Sequence, residues 1–220
     1  MPRKQLQGIL FFYGMEQAQR NWYDIKVFFN RVFEMEALLE CVPDTETYLP
    51  VDRVQLKGQA HSLARKRIAE KKEEARKYVQ EGPFIYERVP MITSLIFVHA
   101  PAEQLPEIEN CMLADNLLDK RGFIYRSADR QAYAVIPEKQ MTSFRLVTSK
   151  GSGGLEFFSA DDISRFKQGS RVRVKEGPFQ GAEGYVRRFR RERRLLVGVE
   201  GIVAVATSFI PPELLEIVEE

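Results

Sequence analysis

Two cysteines and two histidines in 220 residues leave this chain little with which to build a metal centre, a disulfide scaffold or a nucleophilic active site. Cys41 and Cys111 stand far apart and lack metal-ligand spacing, so buried free thiols in a reducing compartment are expected, with the cytoplasm as default. His61 falls in a charged segment and His99 at the end of an apolar run, and neither belongs to a nucleophile, metal or phosphate-loop signature. No G-x-x-x-x-G-K-[ST] occurs, and the expectation is a noncatalytic protein without cofactor or metal. No stretch approaches the roughly 18 apolar residues of a membrane span. Near the start, the apolar run from Gly8 to Gly14 is too brief for a signal peptide, and Glu16 and Arg20 follow it where a cleavage site would lie, so residues 1–20 are read as a lead-in. Strong charge of one sign is lacking too. The formal net charge is +2, so any attraction to nucleic acid must come from local clusters. With 44% hydrophobic and 29% charged residues the composition is that of a folded globular protein.

The most ordered pattern present is Lys167 to Val186, KQGSRVRVKEGPFQGAEGYV. Val172 and Val174 alternate with Arg171, Arg173 and Lys175, which predicts a strand with one buried face. Gly177, Pro178 and Gly181 then predict a tight, exposed loop carrying Phe179, and Gly184 marks a bulge or a close backbone approach in the returning strand. The spacing V-x-V-x-x-G-P-F-x-G-x-x-G-x-V resembles the KOW motif, which implies a small five-stranded SH3-like barrel. An ordinary Gly-Pro hairpin in some other small barrel is the other reading. Tyr185–Arg190, Leu195–Val199, Ile202–Ala206 and Leu214–Val218 supply the further strands such a barrel needs. Between the first two lie Arg187, Arg188, Arg190, Arg191, Arg193 and Arg194, read either as a solvated hairpin tip or as guanidinium groups that grip phosphate.

Upstream, the run Trp22 to Phe28 is β-branched and aromatic and predicts a central strand. Asn30 is placed to cap a helix whose apolar side is Val32, Met35, Leu38 and Leu39, ended by Pro43. Thr45–Pro50 predicts a short strand. Gly58–Gln80 reads as a solvated helical excursion with opposite charges four apart, Lys66 with Glu70 and Glu73 with Lys77; a nucleic-acid or polymerase contact through its basic residues is the alternative. Phe84–Val89 and Pro90–His99 predict strands, Ala102–Asn110 a short helix, and Phe123–Arg126 and Ala132–Ile136 further strands. Pro137 fits the first position of a last helix bearing Met141, Phe144 and Val147. Thr148–Asp162, with Gly151, Ser152, Gly153 and Gly154, predicts a flexible linker whose apolar second half, Leu155, Phe157 and Phe158, docks on a neighbour.

This order is similar to the NusG family of transcription factors, in which an α+β N-terminal (NGN) sandwich precedes a small all-β KOW domain. The likeness is carried by WYDIKVF, TYLPV and VPMITSLIFVH, and it divides the chain into a lead-in (1–20), an NGN-like domain (21–147) with a charged insertion at 57–80, a linker (148–163) and a KOW domain (164–220). Thr93-Ser94 in place of the general family's Pro-Gly, the longer insertion and AVIPEKQMTSFRLV look like the UpxY-type paralogues of the Bacteroides group, associated with capsular polysaccharide operons.

The resemblance implies a monomeric elongation or antitermination factor. It would bind the clamp region of RNA polymerase through an apolar patch including Tyr23, Ile92, Leu95 and Phe97. It implies contact with nontemplate DNA or nascent RNA, for which Lys26, Asn30 and Arg31, otherwise read as a helix cap with surface charge, and, on the second domain, Arg187, Arg188, Arg190 and Arg191 are the candidates. It also implies a second partner, ribosomal protein S10 or the termination factor Rho, at the loop Gly177, Pro178, Phe179 and Gly181. An RNA-binding or ribosome-associated KOW protein is the alternative function, and the housekeeping role of the family stands beside the operon-specific one.

Overall fold

The computed structural model describes residues 19–70, 73–113, 121–150, 153–159, 169–189 and 192–218. The chain opens with β1 (Arg20–Val27), α1 (Val32–Leu39), β2 (Glu46–Tyr48), β3 (Val51–Gln55) and α2 (Gly58–Ala69). There follow β4 (Tyr78–Glu81), β5 (Phe84–Pro90), β6 (Leu95–Pro101), α3 (Leu105–Met112), β7 (Gly122–Ile124) and α4 (Glu138–Thr148). The last part is entirely strands, apart from one short 3-10 turn: β8 (Glu156–Ser159), β9 (Arg171–Val174), β10 (Glu183–Phe189), β11 (Glu192–Val199), β12 (Val203–Phe209) and β13 (Leu215–Ile217). The described chain is therefore mixed α and β, with an all-strand C-terminal part.

Three sheets result, in the orders β2-β6-β1-β7, β3-β5-β4 and β13-β9-β10-β11-β12-β8. In the first, β1 and β6 pair antiparallel along their whole lengths, from Arg20 with Pro101 to Lys26 with Leu95. Because side chains alternate across a strand, this register sends Tyr23, Ile25, Val27, Ile96, Val98 and Ala100 to one face. That face packs on α1 and α3 through Val32, Met35, Leu39, Leu105, Ile108 and Met112. Trp22, Leu95 and Phe97 point the other way and meet Met141, Phe144 and Val147 of α4, with Phe97 and Phe144 rings 5.3 Å apart. Gly122 is required where β7 meets β1, since a Cβ there would lie 2.2 Å from the Lys26 carbonyl oxygen.

The charged insertion is only half helical. α2 stops at Ala69, and Tyr78–Glu81, expected to continue it, instead pairs with β5 as the outer strand of the small second sheet. Tyr78 and Val79 are better strand formers than helix formers, and β5 offers them a hydrogen-bonding edge. This sheet is tied to the main body by an ion pair: Arg88 on β5 donates from both terminal nitrogens to Glu36 on α1, at 2.8 and 2.7 Å. The Arg88 guanidinium also lies over the Phe33 ring.

Other expectations shift for local reasons. Asn30 does not cap α1: it and Phe29 take left-handed backbone angles, φ +58° and +57°, and Arg31 occupies the cap position without a side-chain bond. The strand foreseen from Pro90 begins only at Leu95, because residues 91–94 turn the chain from β5 into β6. Pro137 precedes α4 as its cap residue. Cys41, expected inside, is exposed just beyond α1, its thiol donating to the Ala37 carbonyl.

In the third sheet the expected hairpin forms as β9 and β10, with Gly184 opposite Val172. A Cβ at Gly184 would lie 2.4 Å from the Leu196 carbonyl oxygen, the close approach that its position in a strand suggests. Gly177 and Gly181 both take positive φ in the loop between the two strands. The apolar half of the expected linker is β8, which pairs with β12 from Glu156 with Ala206 to Ser159 with Val203. Among the described residues no ladder joins the outer strands β13 and β8, so the pairing is that of a six-stranded open sheet.

Candidate interaction surfaces

α4 packs against both the N-terminal and the C-terminal sheet. One side lies on Trp22 and Phe97; along another, Ser143 accepts a hydrogen bond from the Glu183 backbone N–H (3.1 Å) and Gln140 accepts one from the Glu200 N–H (3.0 Å). Glu183 opens β10 and Glu200 follows β11, so these bonds hold α4 at the end of the β10–β11 hairpin away from its turn. A single cluster of buried side chains accordingly runs from Trp22 and Phe97 through α4 to Val174, Val197, Val199 and Val205. The two regions separated by the expected linker therefore pack together.

This arrangement decides what is accessible among the apolar residues singled out from the sequence. Leu95 and Phe97 are 6% and 0% exposed on the α4 face, and Ile92 packs beside them half-buried. Tyr23 is buried on the opposite face, against the helices α1 and α3, so the four do not form one surface. Phe179 is not on an exposed loop tip: it folds inward to 8% exposure within the shared core, where burying a phenyl ring is favourable, and leaves Gly177, Pro178 and Gly181 at the turn.

The basic residues sort differently. Lys26 projects from the α4 face of β1 and donates from Nζ to the Ser94 hydroxyl at 3.1 Å. Arg31 lies 5.8 Å over the Phe29 ring, and Phe29 itself is 76% exposed. Beside it the rings follow one another: Phe29 to Phe28 at 6.3 Å, Phe28 to Phe123 at 5.9 Å and Phe123 to Tyr125 at 5.0 Å. Thus Asn30 and Arg31 flank Phe29, Lys26 is held on Ser94, and a ladder of aromatic rings that sequence reasoning missed runs on from Phe29. The signal lay in Phe28-Phe29 and in Phe123 with Tyr125, which only the pairing of β1 with β7 makes neighbours. Phe29 and Asn30 both take the left-handed region, which Asn adopts readily in turns but which costs an exposed Phe on the order of 1–3 kcal/mol.

On the C-terminal sheet, β10 and β11 set Arg187 opposite Arg194 and Arg188 opposite Arg193. Arg194 is engaged by Glu156 and Glu192, both at 3.2 Å. Arg190 and Arg191 lie outside the described residues.

One ionisable group was not foreseen. Asp24, in the middle of β1 opposite Phe97, is fully buried, and neither carboxylate oxygen has a hydrogen-bond partner. Burial pushes its pKa up to about 7, and burial with the Asp24 charge raises the neighbouring Tyr125 phenol. His99 stacks on Trp22 with ring centroids 4.8 Å apart and lies 3.8 Å from Glu46, a packed position. Among the described residues no three His, Cys, Asp or Glu side chains converge as metal ligands, and no helix is long and apolar enough to cross a membrane.

No family model and no curated protein matches this sequence. One solved structure, described as showing domain interaction in Thermotoga maritima NusG, aligns with 91% of this chain and 98% of its own at 13% identity, with a TM-score of 0.38. A likeness that loose settles neither fold nor function.

Proposed function

We propose that this chain is a noncatalytic transcription elongation or antitermination factor of the NusG kind, acting on RNA polymerase while touching the single-stranded DNA exposed beside it. The carrying observation is the aromatic ladder ending in Phe29, which is followed by Asn30 and lies under the Arg31 guanidinium, with Lys26 earlier on the same segment. Rings that accept stacked bases next to cations that follow the phosphates are what sequence-tolerant binding of a single strand requires. Phe29 is held in a left-handed conformation and leaves most of its ring in water, with Phe28 at its edge and the Arg31 guanidinium over its face.

On this reading the N-terminal sheet holds the clamp region of the polymerase, and Ile92, Leu95 and Phe97 serve once α4 and the C-terminal sheet move aside. The KOW-type hairpin meets a second partner such as ribosomal protein S10 or Rho through its backbone turn. The action is confined to particular operons, as in UpxY-type proteins, and takes place in the cytoplasm.

The test uses full-length protein and reconstituted elongation complexes carrying a photo-crosslinker in the nontemplate strand. Wild type is expected to bind and crosslink, and Phe29→Ala with Arg31→Ala to lose the crosslink by about tenfold, as the loss of one stacked base and one charged contact implies. Absence of binding to any polymerase complex, with salt-sensitive binding to ribosomal RNA instead, would establish the ribosome-associated alternative through the β10–β11 arginines.

A further inference from the structure

A cavity of about 380 Å³ lies between the first turns of α4 and the strands β9 to β11. Lys139, Gln140 and Ser143 form its helical wall. Its floor is made of small residues, Gly184, Gly198 and Ala204, which is why there is room. Tyr185 and Arg187, alternate residues of β10, line it together, with the guanidinium 5.8 Å over the tyrosine ring.

The electrostatics of this cavity are incomplete. The Arg187 Nε is buried without a hydrogen-bond partner, and burial pulls the guanidinium below the ordinary arginine pKa. The carboxylate nearest along the strand, Glu183, is already held by Arg171 at 3.0 Å and by Arg173, which together keep it below the usual carboxylate range. Glu200 sits exposed on the far rim. Arg187 as a whole is half-buried, but an N–H buried without an acceptor is a cost that native proteins compensate with water, a ligand or a counter-charge. Arginine donates in a planar fork suited to phosphate, and an adjacent aromatic ring offers a stacking face.

We propose that this cavity binds a small phosphorylated metabolite of about mononucleotide size, its phosphate on Arg187 and Lys139 and its planar part against Tyr185. The volume lies at the small end of the range for metabolite sites. Because α4 forms one wall and the C-terminal strands the other, the ligand bridges the two regions and holds them in the packed arrangement.

The experiment is titration calorimetry and thermal melting of the full-length protein with adenosine monophosphate, with pyrophosphate and with a thymidine dodecanucleotide. Adenosine monophosphate is expected to bind saturably at one site per chain and to raise the melting temperature. Arg187→Gln and Tyr185→Ala, each checked for a folded far-ultraviolet spectrum, are expected to weaken it by about tenfold or more, while Arg188→Gln, on the opposite face of the same strand, leaves it unchanged. No saturable heat with either small anion, or an equal loss in Arg188→Gln, would overturn the proposal. So would binding by the oligonucleotide alone, which would assign the cavity arginine to a nucleic-acid track.

Discussion

The two faces of the N-terminal sheet are built from the same two strands and obey different rules. Toward α1 and α3, beyond the half-buried Asn21 at the strand's start, β1 and β6 present Tyr23, Ile25, Val27, Ile96, Val98 and Ala100, each at most 2% exposed, which fill one closed core. Toward α4, the same strands present Trp22, Asp24 and Lys26, and Leu95, Phe97 and His99, an alternation of apolar, charged and aromatic groups. A face that only has to hold a domain together has no use for a buried, unpartnered carboxylate. The α4 face carries one although its cover is apolar too, with Met141, Phe144 and Val147 fully buried against it.

A charge placed on each face would separate those roles. Ile96→Asp puts an ion among Ile25, Val98 and Ile108 with no partner, and should cost more than about 4 kcal/mol and leave the chain unfolded by circular dichroism. A folded Ile96→Asp protein would refute the closed-core reading of the helix-side face.

The α4 side already carries its ion, and pH should reveal it. An unfolded aspartate loses its proton near 3.8, whereas Asp24 in the folded chain keeps its proton to about 7. Between those values the unfolded state binds fewer protons, so stability falls as pH rises and levels off above the folded pKa. The span of roughly 3 units corresponds to at most about 4 kcal/mol. Asp24→Asn should remove that slope and be more stable than wild type at pH 8, measured by urea unfolding from pH 4 to 8. An unchanged slope would mean that water or a counter-ion reaches the carboxylate.

The smallest effect belongs to the far side of α4. Ser143→Ala leaves the Glu183 N–H without its acceptor and should lower the unfolding free energy by about 1 kcal/mol, without altering the spectrum of the N-terminal sheet. A loss of several kcal/mol would show that the C-terminal sheet hangs on that contact.

Much of this could be read from residue order, and the failures share a cause. The apolar alternation of β9, the glycines of the hairpin and the helix around Phe144 are local patterns, and each formed where its period placed it. Tyr78–Glu81 left the helix because β5 offered it an edge, and Phe179 turned inward because a shared core was there to receive it. Leu155 and Phe157, oddly apolar for a linker, did foreshadow β8. The aromatic ladder and the Asp24 environment depend on which strands become neighbours, information that periodicity does not hold.

The double allegiance of α4 also constrains how the chain is made. Synthesis delivers β1, β6 and α4 long before β13, so the nascent N-terminal unit carries a helix with one flank provided for and the other, around Gln140 and Ser143, awaiting strands still inside the ribosome. Until Glu183 and Glu200 emerge, that flank is an adhesive edge on the unit already made, and the window in which it is open to a competing partner, or to misassembly, is set by the time needed to translate the stretch from α4 to Glu200.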